Sequence, residues 1–160
     1  MTAQESDSNS WPEPFPVSYQ DINDIVASES EFNPSALRFE TIRRIEQITK
    51  IPLICYVSQT HGPPSGVLSS IDDSDLIGFG DLIRGLKSEN AVDVLLVSNG
   101  GSAEAAERIV GLLRDSFEEI RFFVPGNAYS AATLICLAGD EIVMTNLSTL
   151  GPIDPQINTG

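Results

Sequence analysis

The chain has 160 residues, 41% of them hydrophobic, which suffices for one domain with its own core and falls short of two. It carries 23 acidic against 9 basic residues, a formal charge of −14, and such a surface repels phosphate backbones and anionic lipid, so nucleic acid and a membrane surface are excluded as main partners. No window approaches the roughly eighteen uninterrupted apolar residues of a transmembrane segment, and the N-terminus lacks a basic-then-apolar signal, which predicts a cytoplasmic protein.

Residues 1–33 contain no Lys or Arg, mix Ser, Asp, Asn and Glu with Pro12, Pro14 and Pro16, and show no sustained periodicity; an acidic, mobile arm is expected there, followed by one domain over 34–160. Asn33-Pro34 opens a helix that runs to about Lys50, with Leu37, Ile42, Ile45 and Ile48 near one face. Ile51 to Val57 reads as a buried strand, with Pro52 confined to its entrance. Residues 58–70, with His61 and four Gly or Pro, form a polar rim loop. Asp72 to Ser74 supply caps for a helix whose stripe is Leu76, Ile77, Phe79, Leu82, Ile83 and Leu86.

Val92 to Ser98 is apolar on both alternations except at Asp93, the mark of a parallel strand covered on both faces. The turn Asn99-Gly100-Gly101-Ser102 leads into a helix over 103–117, in which Ala106, Ile109, Val110, Leu113 and Phe117 repeat at helical spacing and Ser102 is placed to cap. Ile120 to Val124 is the next strand, residues 130–138 a short helix opened by Ser130, Glu141 to Met144 a further strand, and residues 150–155 a stiff turn. Strand and helix alternate, which predicts an α/β fold with a mainly parallel sheet. Cys55 and Cys136 each lie in an apolar run and are expected as buried, reduced thiols.

Parallel sheets bind ligands beyond the carboxyl ends of their strands, where helix N-termini converge. Gly100 and Gly101 stand at one such end and Ser130 at the next. Bare amides of the glycine pair and of Ala131, facing one point, would form an oxyanion hole, with the Ser130 hydroxyl as nucleophile. Asn99 and Ser102 border the glycines and are expected to line the same cleft. No His, Cys, Asp or Glu cluster has metal-ligand spacing, and the glycines lack the Lys-Ser/Thr of a phosphate loop and a third spaced glycine, so neither a metal nor another cofactor is expected.

These residues also carry a resemblance. The run Asp93-Val94-Leu95-Leu96-Val97-Ser98-Asn99-Gly100-Gly101-Ser102, followed by Glu104-Ala105-Ala106-Glu107, resembles the glycine-turn signature of the Clp-protease/crotonase superfamily. Val124-Pro125, Ala128, Ser130-Ala131, Thr133, Asp140-Glu141-Ile142-Val143-Met144 and Leu150-Gly151-Pro152-Ile153-Asp154-Pro155-Gln156 resemble its serine dehydrogenase proteinase branch, related to signal peptide peptidase A, over roughly residues 36 to 157. The resemblance implies a spiral of ββα units, assembly into homo-oligomers, and hydrolysis of peptide or protein substrates through an acyl-enzyme. It places the nucleophile at Ser130, the oxyanion amides at Gly101 and Ala131, and a cleft-lining loop over 151–156, including Gly151, Pro152 and Asp154. The family usually has Pro where Asn99 stands and Gly where Ala132 stands, and the extra methyl of Ala132 is expected to narrow the cleft.

Relatives use a His or Lys as general base after the nucleophile, and neither residue follows Ser130 here. Three readings stay open: a truncated chain whose base, a Lys, lies in a further C-terminal segment; a base from a neighbouring subunit or from His61; or an inactive member that serves as an oligomerisation or peptide-binding module. A crotonase-type acyl-CoA enzyme is a further alternative, with Arg84, Arg108, Arg114 and Arg121 as the cations its phosphates would need.

Overall fold

The computed structural model describes Gln20, Asp24 and Ala27 and residues 33–58, 69–86 and 88–153. Most of the expected N-terminal arm, most of the rim loop with His61, and Asp154 lie outside them. The chain divides into two compact units, one ending at Lys50 and the other starting at Ile51.

The first unit holds helix α1 (Pro34–Thr49), which forms as the sequence predicts: Asn33 accepts from the amides of Ser35 and Ala36, Pro34 needs no amide partner at the first position, and Lys50 closes the helix in the left-handed region at φ 61°. Ile48 is exposed, unlike Leu37, Ile42 and Ile45, which are half-buried.

In the second unit, β1 (Leu53–Val57), β2 (Ala91–Val97), β3 (Glu119–Val124) and β5 (Glu141–Met144) form one parallel sheet in the order β1-β2-β3-β5. Between them run α2 (Asp75–Gly85), α3 (Ala103–Ser116) and α4 (Ala131–Leu137). The two-residue strands β4 (Asn127–Ala128) and β6 (Thr149–Leu150) pair in parallel as a small separate sheet. They are too short to show as a pattern in sequence.

The registers Leu53↔Asp93, Asp93↔Arg121 and Arg121↔Glu141 sort the side chains into two faces. Ile54, Val92, Val94, Leu96, Ile120, Phe122 and Val124 point to one face and bury against Phe79 and Ile83 of α2, Ala105, Ala106, Ile109 and Leu113 of α3, and Ile135 of α4. The opposite face is only partly covered among the described residues: Cys55 is exposed and so is Val57, at 63%. Among the described residues of this unit, helices cover one face of the sheet where the apolar runs predict two. The core helices stack on one side, and the buried-thiol reading holds for Cys136 alone. On α2, Ile77 (72% exposed) and Leu82 (51%) likewise fall off the stripe Leu76-Phe79-Ile83-Leu86, whose spacing of three and four keeps it on one helical face.

Asp93, the one interruption in β2, is fully buried on the partly open face. Arg121 grips it with two nitrogens, at 2.9 and 3.0 Å, and lies over the Phe123 ring at 5.1 Å. A bidentate guanidinium compensates the desolvation of the carboxylate.

Candidate active site

The site stands at the carboxyl ends of β2 and β3. Beyond β2 the backbone passes between two neighbours. On one side Ser98 pairs with the β4 region, its N–H donating to Asn127 O and its carbonyl accepting from Tyr129 N. On the other, Ile71 donates to Gly100 O at 2.9 Å and accepts from Ser102 N at 2.8 Å. In a parallel bridge of this kind the central residue uses the flanking groups of the other segment, so the Gly101 amide points away from Ile71. It has no hydrogen-bond partner among the described residues.

Gly100 is required where it stands. Its φ is 95°, and a methyl carbon added to it would sit 2.4 Å from Tyr129 O, 2.7 Å from Ser130 Cβ and 3.2 Å from Ala131 N. Only a residue with no side chain lets the two turns touch. The Gly100 amide is taken by the buried Ser98 hydroxyl at 3.1 Å, so of the pair it is the Gly101 amide that lacks a hydrogen-bond partner among the described residues. Ser98 was legible in sequence only as the end of an apolar strand and a member of the glycine-turn motif.

Ser130 opens α4 with φ 50° and ψ −121°, a backbone region dominated by glycine in turns. Its hydroxyl makes no capping bond, and no other side chain among the described residues is hydrogen-bonded to it. Its N–H donates to Pro152 O at 3.1 Å, and its carbonyl accepts from the amides of Thr133 and Leu134. The next amide, Ala131 N–H, is the first of the helix and has no partner among the described residues. Ser130 and Ala131 line a cleft of about 640 Å³ together with Asn99, Gly100, Gly101 and Ala103. Ser69, Ser70, Leu134 and Ile153 complete its wall.

The structure thus brings Ser130, Ala131, Gly100, Gly101 and Asn99 together. Asn99 Oδ1 accepts from Asn127 Nδ2 at 2.9 Å. Ser102 is not on the cleft wall; it caps α3, accepting from Ala105 N at 3.1 Å. Gly151 and Pro152 stand behind the wall that Ile153 forms, tied to Ala128 and Ser130 by backbone bonds. Ala132 is fully buried in the core cluster and does not line the cleft, so its methyl fills the interior rather than narrowing the opening, a correction to the sequence expectation. Arg84, Arg108, Arg114 and Arg121 are each paired with an acid, Asp81, Asp73, Asp140 and Asp93 respectively, and none lines the cleft.

A sequence model of the family described as ClpP-like SDH-type serine proteinase matches residues 35–159. The chain belongs to that family. Two uncharacterized proteins of Methanocaldococcus jannaschii are similar to this ClpP-like chain: one is 36% identical over 96 residues, 60% of this chain and 33% of the relative. The other is 29% identical over 128 residues, 75% of this chain and 42% of the relative. The chain therefore spans 33% and 42% of the lengths of these curated relatives. Among solved structures, a mutant of the 1510-N membrane-bound stomatin-specific protease in complex with a substrate peptide is similar at 27% identity, over 54% of this chain and 42% of that one, with a TM-score of 0.49. ClpP1 from Listeria monocytogenes is similar at 16% identity, over 60% and 51%, with a TM-score of 0.46.

Among the described residues no group of His, Cys, Asp and Glu could hold a metal ion, and no helix is long and apolar enough to cross a membrane.

Proposed function

We propose that this ClpP-like serine proteinase chain hydrolyses peptide bonds with Ser130 as its nucleophile. The observation that carries the reading is the state of Ser130: a strained, half-buried serine on a cleft wall, its hydroxyl without a hydrogen-bond partner among the described residues, beside a glycine turn packed against its Cβ. Strain of this kind persists where neighbours over-determine it, and it collects at working residues. In the reaction, Ser130 Oγ attacks the carbonyl carbon of the scissile bond while its proton passes to a base. The carbonyl oxygen becomes an oxyanion, which the amides of Gly101 and Ala131 receive. The carbon–nitrogen bond then breaks, the amine leaves with the proton, and water attacks the acyl-enzyme by the same route to release the acid.

The proton acceptor is not among the residues described around Ser130, and His61 lies outside them. The substrate class is peptide or protein, and the working form is a homo-oligomer. Pairing of all four candidate arginines with acids, away from the cleft, favours this reading over an acyl-CoA enzyme, whose phosphates need free cations at the pocket mouth.

A fluorophosphonate probe tests the reading, since it reacts with an activated serine. The intact chain is expected to be labelled at Ser130, as located by peptide mass mapping, and Ser130→Ala to lose the label. A folded chain that takes up no probe at Ser130 overturns the reading of Ser130 as this chain's activated nucleophile.

A further inference from the structure

Among the described residues the buried polar or charged side chains are Asp93, Ser98 and Thr133. Asp93 is engaged by Arg121 and Ser98 by the Gly100 amide, both already placed. Thr133 is 3% exposed and is absent from the cleft wall. Its hydroxyl nevertheless holds two backbone groups from separate segments: Oγ1 donates to Ala128 O at 2.6 Å and accepts from Gly151 N at 2.9 Å. Gly151 N also reaches Ala128 O at 3.2 Å, so the three atoms close a triangle.

Resting on the reading of Ser130 as nucleophile, we infer that Thr133 is a positioning residue whose hydroxyl fastens the turn at 150–153 to the turn that carries Ser130. The chain of contacts runs one residue at a time. Pro152 has no amide, so the donor available to anchor this turn beside Ala128 is that of Gly151, and Thr133 receives it. Pro152 O, held by that anchor, accepts the Ser130 amide and so restrains the φ of 50°. Ile153, next in the chain, forms cleft wall. Together with the β4–β6 pairing, one buried hydroxyl thus ties the strained nucleophile and the wall that Ile153 forms into a single geometry. Because Thr133 cannot reach the cleft, it acts through these groups and not on the reacting atoms.

Thr133→Val, which keeps the shape and removes the hydroxyl, and Thr133→Ser, which keeps the hydroxyl, are compared with the unsubstituted chain in two measurements. Amide hydrogen exchange followed by NMR is expected to quicken at Gly151 and Ser130 by about tenfold or more in Thr133→Val, while Phe122 and Val94 in the sheet stay unchanged and Thr133→Ser remains close to the parent. The rate of fluorophosphonate labelling at Ser130 is expected to fall about 10- to 100-fold in Thr133→Val and to recover in Thr133→Ser. Exchange unchanged at Gly151 and Ser130, quickened equally in the sheet, or quickened as much in Thr133→Ser overturns the inference. So does equal labelling of the parent and Thr133→Val. If the parent takes no label, the nucleophile reading fails by itself and the exchange data still decide the clamp.

Discussion

Two helices of this protein begin at the same end of the sheet, each opened by a serine, and the two serines do opposite things. Ser102 has extended torsions, φ −67° and ψ 123°, and its hydroxyl caps α3 through the Ala105 amide. Ser130 has φ 50° and ψ −121° and caps nothing. The first satisfies a helix end, which lowers the energy of the fold. The second leaves both its own hydroxyl and the following amide without a partner among the described residues, at a cost in backbone strain. Residue type and position before a helix are shared; what separates a cap from a candidate nucleophile is the torsion that the neighbouring turns impose.

That contrast can be broken or sharpened by substitution. The largest effect is expected from Gly100→Ala, since the new methyl would meet Tyr129 O at 2.4 Å, backbone that cannot swing aside, at a φ of 95°. We expect a loss of roughly 3 kcal/mol in urea denaturation and loss of probe labelling at Ser130. Full labelling of this variant would mean that the glycine turn does not shape the site. The paired substitutions Ser102→Ala and Ser130→Gly should then move stability in opposite directions, down by about 1 kcal/mol for the lost cap and up by about 1 kcal/mol for the relieved torsion. Shifts of the same sign would remove the distinction between the two serines.

The smallest effect lies at the opposite end of the sheet. There Arg114, through a hydrogen bond at 2.8 Å, and the Ile120 amide hold the Asp140 carboxyl below the usual carboxylate range. A depressed folded pKa stabilises the protein above the ordinary value of about 3.9, and that contribution disappears as pH falls through the folded pKa. Acidification should therefore lower the melting temperature of the parent chain more than that of Asp140→Asn. The gap between the two should close with falling pH, and parallel curves would show that the pair carries no linked stability.

Much of the fold could be read from spacing. The bounds of α1, α3, β3 and β5 follow from caps and from periods of 3.6 and 2, which depend on residues a turn or a pleat apart. The exposure of Cys55 and Val57 could not, because they sit in an apolar run like that of Ile54, and only the side on which the helices of this unit stack tells them apart. Within the cleft, Ser130 and the glycine pair were legible because glycine and a helix-opening serine are local signals. The roles of Ser98 and Thr133, present in the sequence only as motif residues, and of Ile71 were not: their partners at the site are backbone groups, which every residue carries and no composition reveals.

The amino-acid order alone settles which segments become the helices and the four strands of the main sheet, where glycine frees the backbone, that the chain is acidic, and which family the motifs resemble, since each is written in neighbouring side chains. Whether a given serine is bound or unbound, which sheet face is covered, and which amides stay unpaired follow from packing. Those outcomes depend on hydrogen bonds and contacts between residues far apart in the chain, such as Thr133 with Gly151 and Gly100 with Ser130, and they exist only once the strands have taken their order.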